Sequence, residues 1–74
     1  MTEAEELEFK LVLEAIHMKY GYDFRGYAFA SLARRAKAVL SKFRIKDFGQ
    51  LLQRLLKEPE FFRTILPYLT VTTS

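Results

Sequence analysis

An all-α bundle of four short helices is the fold class that this 74-residue sequence predicts. Apolar residues recur at spacings of three and four, which is the signature of one helix face. No alternating apolar–polar run is long enough to propose a strand. Residues that start and stop helices divide the chain into four pieces: Thr2 with Glu5, Gly21, Asp47 with Gln50, and Pro59. The length admits one domain. Its core must be thin, because a chain of this size buries only about 60–65% of its unfolded surface. A nucleotide-binding α/β fold with its own catalytic site does not fit, since one βαβ unit takes about 30 residues. The chain reads as a binding or accessory module and not as a complete enzyme.

The first helix is predicted from Glu3 to Tyr20. Thr2 is its N-cap, and Glu5 three residues on completes a capping box. Gly21 supplies the position after the helix where φ can turn positive. On a helical wheel two apolar stripes run along it. Leu7, Leu11, Ala15 and Met18 form one; Phe9, Leu13, Ile16 and Tyr20 form the other. Glu6, Lys10, Glu14 and His17 make a narrow polar seam between them. Two stripes predict a central helix packed between neighbours. The alternative is that one stripe docks on another domain or subunit.

Tyr22 to Gly26 forms a connector whose aromatic residues turn back to the core. The second helix is predicted from about Tyr27 to Phe43. Phe29, Leu32, Ala36, Val39, Leu40 and Phe43 share its apolar face, while Arg34, Arg35, Lys37, Ser41 and Lys42 fall opposite. The third helix opens on an Asp47 cap with Gln50 as its box partner. It buries Phe48, Leu51, Leu52, Leu55 and Leu56, and ends near Lys57. Pro59 suits the first position of a fourth helix, whose apolar face is Phe61, Phe62, Ile65, Leu66 and Leu69. Pro67 is expected to kink or end that helix near Leu66, because its ring clashes with the carbonyl four residues back. Thr70 to Ser74 has lost helical character and reads as a linker.

Charge is distributed unevenly. Residues 1–23 hold six acids against Lys10 and Lys19, a net −4, while residues 24–57 hold nine bases against Asp47 alone, a net +8. A cationic surface drawn to an acidic partner follows. With no cysteine there are no disulfides, thiolate sites or Cys nucleophiles. One histidine cannot build a zinc site of the usual type. The acidic N-terminus is the opposite of a secretory or mitochondrial signal, and no apolar run approaches a membrane span. A soluble cytoplasmic domain without membrane insertion is expected.

Among candidate constellations the helix 2 cations stand first. Regularly spaced positive side chains suit a ligand carrying carboxylates or phosphates. A solvated face usually mixes signs to gain i,i+4 pairs, yet no acid occurs between Phe24 and Lys46. The crowded aromatics Tyr20, Tyr22, Phe24, Tyr27 and Phe29 could stack on single-stranded nucleic acid, but in a thin core they are expected inside. His17 lacks any partner for catalysis and reads as structural. Glu3, Glu5, Glu6 and Glu8 sit where the helix dipole favours negative charge, not where acid–base chemistry would be placed. Gly21, Gly26 and Gly49 fit no phosphate-binding spacing. Neither catalytic nor metal-binding residues are expected here.

Tyr20-Gly21-Tyr22-Asp23-Phe24-Arg25-Gly26-Tyr27, a basic helix, Lys46-Asp47-Phe48 and Glu58-Pro59-Glu60-Phe61-Phe62 together resemble one family. In order and spacing they are similar to the N-terminal helical domain of the CheR-type chemoreceptor glutamate methyltransferases. Leu69-Thr70-Val71-Thr72-Thr73-Ser74 resembles that family's linker into its cofactor-binding domain. The resemblance implies a parent enzyme that transfers methyl groups from S-adenosylmethionine to receptor glutamates, with its catalytic domain C-terminal to this segment. It implies residues 1–69 as the substrate-recognition domain and 70–74 as the start of the linker. Its basic second helix is implied to contact the acidic methylation helices of chemoreceptors. Arg35 falls where members commonly carry Arg; Arg34, Lys37 and Lys42 join it by wheel position alone. Thr72 and Ser74 match linker positions that help line the cofactor site, which needs the catalytic domain to be complete; this chain holds no cofactor of its own. The sequence departs from the family at Ala38 and Val39, where many members carry further Arg, at Leu51, often Tyr, and at Thr72, more often Asn.

Two other functions compete with receptor recognition. One is a small nucleic-acid-binding module using the same basic helix, although base-reading Asn and Gln are missing from it. The other is a scaffold that packs on the catalytic domain through the first helix and the tail.

Overall fold

The computed structural model describes residues 2–70. Four helices follow one another: α1 (Glu3–Tyr20), α2 (Phe29–Lys42), α3 (Phe48–Lys57) and α4 (Pro59–Thr70). The all-α class is therefore as the periodicity predicts. α1 begins with the predicted capping box: the Thr2 hydroxyl accepts the Glu5 N–H and the Glu5 carboxylate accepts the Thr2 N–H. It stops at Gly21, whose φ of +71° is a left-handed conformation that costs glycine nothing. Asp47 caps α3 through the Gln50 N–H at 2.9 Å. The Gln50 side chain, however, accepts the N–H of Lys46 and not that of Asp47, so the reciprocal half of the box is shifted by one residue. α2 starts two residues later than Tyr27, because Ala28 in an extended conformation is its N-cap and offers no side-chain oxygen.

α1 packs on α3, α2 on α4, and α3 on α4. Phe9, Val12 and Ile16 of α1 meet Leu32, Ala36 and Val39 of α2, Phe48, Leu51 and Leu55 of α3 and Ile65 of α4 in one core, all nearly or wholly inaccessible. Phe9 packs between Phe48 and Phe29 at ring-centroid distances of 5.0 and 5.5 Å. Only one of the two apolar stripes of α1 is covered. Leu7, Leu11 and Met18 are 54%, 59% and 78% exposed, which corrects the reading of α1 as a helix packed on two sides. Three short neighbours cannot surround it. Leu56 likewise points outward.

The α3–α4 junction sets a hydrogen-bonding problem that Tyr20 solves. The Leu55 carbonyl would be served by the N–H four residues on, but that residue is Pro59 and has no N–H. The Tyr20 hydroxyl donates to this carbonyl instead. The same ring stacks on Phe62 at 4.4 Å and 12°, so one side chain joins the end of α1 to α3 and α4. Burial pushes the Tyr20 phenol above its ordinary pKa.

α2 ends in a left-handed turn. The Ile45 N–H reaches back to the Leu40 carbonyl and the Arg44 N–H to the Ser41 carbonyl, the Schellman pattern. The position that glycine normally takes is held by Arg44 at φ 56°. α4 differs from expectation. It continues through Pro67 to Thr70 and does not stop near Leu66. Pro67 and Arg63, the residue whose carbonyl loses its donor, both lie on the exposed side, where water can replace the missing bond. Ile65 and Leu69, buried on the opposite side, hold the helix in place.

Between α1 and α2, Asp23 grips Arg25. Its carboxylate accepts the Arg25 backbone N–H at 2.8 Å and both Nε and Nη2 of the guanidinium at 2.8 to 3.0 Å. The side-chain bonds first, and then the backbone one, lower the Asp23 pKa to about 2.

Tyr20→Phe keeps the stack but strands the Leu55 carbonyl. It should lower stability by about 1–2 kcal/mol in urea unfolding. Arg44→Gly removes the left-handed strain and should raise stability by about 1 kcal/mol in the same measurement. Asp23 should titrate with a midpoint of about 2 by carboxyl-carbon NMR, rising in Arg25→Ala but staying below the ordinary value of about 3.9, because the backbone N–H of residue 25 still donates to the carboxylate. Because the folded pKa is depressed, the stabilisation from this turn is complete above the unfolded value and is lost as pH falls through the folded one.

Candidate functional site

The structure places all four predicted partner-binding cations on α2, and each meets a different neighbour. Arg34 is exposed and has no ion-pair partner among the described residues. Arg35 is half-buried, with Nη1 donating to the Leu69 carbonyl at 3.4 Å. That carbonyl lies in the last turn of α4, where no intrahelical donor remains. Lys37 pairs with Glu5 of α1 at 3.6 Å. Lys42 lies 5.4 Å from the centroid of the Tyr68 ring. The wheel spreads the four over the outer half of α2, with Ala38 and Ser41 exposed between them.

The face is therefore not uniform. Towards α1, Arg34 and Lys37 border a groove with Phe29, Ala30 and Ala33 as floor and Glu6 as far wall, enclosing about 420 Å³. Towards α4, Arg35 and Lys42 cover the end of that helix. Arg35 carries a structural duty that a wheel could not show, because its acceptor is 34 residues away in sequence. Arg44 extends the cationic surface beyond the helix from its left-handed position.

The remaining candidates resolve differently. The aromatics crowded between Tyr20 and Phe29 pack on one another and on Phe62: Tyr22 on Phe24 at 4.7 Å, Phe24 on Tyr27 at 5.5 Å. Their faces are occupied within the protein, so they form no open platform for bases. His17 is exposed on the rim of the larger groove, about 580 Å³, between α1 and the connector. Three of the five acids of α1 serve internal contacts, Glu6 by pairing with Lys10. Glu5 caps its own helix and pairs with Lys37; Glu8 lies over Gly49 in the first turn of α3, where the helix dipole favours a negative charge. Thr72 and Ser74, expected beside a cofactor, lie outside the described residues. No polar or charged residue is buried among the described ones. No helix among them is long and apolar enough to cross a membrane.

Comparisons with known proteins agree with this architecture. Residues 7–70 match the family model described as "CheR methyltransferase, all-alpha domain". The chain is similar to a Pseudomonas putida protein named "Putative methyltransferase Cher3", at 41% identity over 69 residues. That match takes in 93% of this chain and 25% of the relative, so the chain spans a quarter of that protein's length. No solved structure matches it. With the match covering nearly all of its four helices, the chain belongs to the CheR methyltransferase family and constitutes its all-alpha domain.

Proposed function

We propose that this domain recognises the acidic methylation helices of chemoreceptors through the outer face of α2. On this reading it presents receptor glutamates to the catalytic domain of a longer, cytoplasmic protein-glutamate O-methyltransferase that uses S-adenosylmethionine. The observation that carries the reading is the absence of any acid on α2 or its flanks from Phe24 to Lys46, while Arg34, Lys37 and Lys42 stand exposed there. A helix that forgoes its own i,i+4 ion pairs keeps its cations for carboxylates from elsewhere. Attraction across solvent speeds and orients the encounter more than it tightens the complex. Each exposed pair adds only about 0–1 kcal/mol, so docking is weak and reversible, as a domain that must visit many glutamates requires.

A scaffold role is compatible with recognition, and the uncovered α1 stripe of Leu7, Leu11 and Met18 favours it. In the longer protein that stripe would be covered by the catalytic part.

Arg34→Glu combined with Lys42→Glu should lower receptor methylation by the full-length enzyme about tenfold, with the loss diminishing at high salt. Arg34 makes no ion pair among the described residues and Lys42 only an open contact with Tyr68, so the circular dichroism of the isolated chain should be unchanged and its melting temperature should fall by no more than a few degrees. Arg35 is unsuitable for this test because its bond to Leu69 would mix stability with binding. Undiminished methylation by the double variant would rule out the α2 assignment.

A further inference from the structure

The acidic first turn of α1 lies beside the cations of α2. Glu5 places one carboxylate oxygen on the Thr2 N–H at 2.9 Å and the other 3.6 Å from the Lys37 ammonium. The cap fixes the carboxylate in position, so Lys37, on its long flexible stem, is the partner free to leave. Neither side chain is sealed from water: 42% of Lys37 and 38% of Glu5 is exposed. A pair this open contributes little to stability and exchanges readily. The Thr2 N–H, with Lys37 adding to it, holds the Glu5 carboxyl below its ordinary pKa, so the pair is charged at neutral pH.

The groove described above lies beside this pair. Its floor includes two alanines at i and i+3, small enough for another backbone to come close. One wall is cationic through Arg34 and Lys37; Arg34 forms no ion pair among the described residues, and Glu6 on the opposite wall is paired with Lys10.

We infer that Glu5 is an internal stand-in for the partner's carboxylate, and that an acidic helix seats in the α1–α2 groove by displacing Glu5 from Lys37. This rests on the α2 docking reading and specifies how the same face is regulated. The resident carboxylate lowers affinity for any partner unable to offer Lys37 a better placed one. It also keeps α2 from gathering anions indiscriminately. Discrimination of this kind comes from a cost set against the wrong ligand as much as from contacts to the right one.

The test is binding of the 74-residue chain to a synthetic helix rich in alanine and glutamine, with a glutamate at every seventh position. A length of about 20 residues keeps such a peptide helical. Glu5→Gln retains a carbonyl oxygen for the Thr2 N–H, and circular dichroism checks that the helix is intact. Its dissociation constant should fall about two- to fivefold relative to wild type. The gain should vanish in a Lys37→Gln background. Glu3→Gln removes the same charge from the same turn without touching Lys37, and should give little. If wild type binds but Glu5→Gln binds no better, or Glu3→Gln gains as much, the stand-in is overturned while α2 docking survives. If neither wild type nor Glu5→Gln binds the peptide, the docking reading fails and takes this inference with it.

Discussion

The bundle depends on a carbonyl that its own helix cannot satisfy. Pro59 starts α4 with only Glu58 between it and the end of α3, and so removes the N–H that Leu55 would have used. Without a substitute donor, the tight α3–α4 corner would leave a half-buried acceptor bare, at a cost comparable to a large share of a small domain's net stability. The Tyr20 hydroxyl fills that gap from the far end of α1, and its ring is held flat against Phe62. Three helices therefore meet at one residue. The route of the connector follows from it, since Tyr22 packs on the edge of the same Phe62 ring and Phe24 continues inward.

With α1, α3 and α4 locked in this way, α2 has one face available for the core and one for solvent. Leu32, Ala33, Ala36 and Val39 take the first. The cations take the second, where Arg34 is in no ion pair among the described residues and Lys37 and Lys42 make only open contacts with Glu5 and Tyr68. Burial without any charged member makes the core insensitive to what the surface does. Charge can thus vary across α2 without unsettling the bundle. Arg35 is the exception, tied to the last turn of α4.

The electrostatic asymmetry seen along the chain becomes a juxtaposition in space. The acids of α1 are not remote from the bases of α2: Glu5 reaches Lys37, and Glu6 lines the groove opposite Arg34. On the docking proposed for α2, an acidic partner helix would meet a face against part of which the acids of α1 already lie. That arrangement would trade affinity for selectivity.

Much of this was legible in the residues themselves. Helix ends are local events, set by Thr2 with Glu5, by Gly21, by Asp47 and by Pro59, each acting within four positions of its partner. Inner faces followed from i, i+3 and i+4 spacing, which places Phe9, Ile16, Phe48, Leu55 and Ile65 correctly inside. The charge imbalance and the family resemblance were carried by composition and order. What the sequence could not decide was which neighbour each face meets. The two stripes of α1 are equally apolar on a wheel, and only the number and length of the other helices leave Leu7, Leu11 and Met18 uncovered. Pro67 looked terminal because its local cost is plain, while the burial of Ile65 and Leu69 that outweighs it comes from distant packing. The partners of Tyr20, Arg35 and Lys37 lie more than 30 residues away. Local periodicity determines which way a side chain points from its own helix; the tertiary structure alone decides what it finds there.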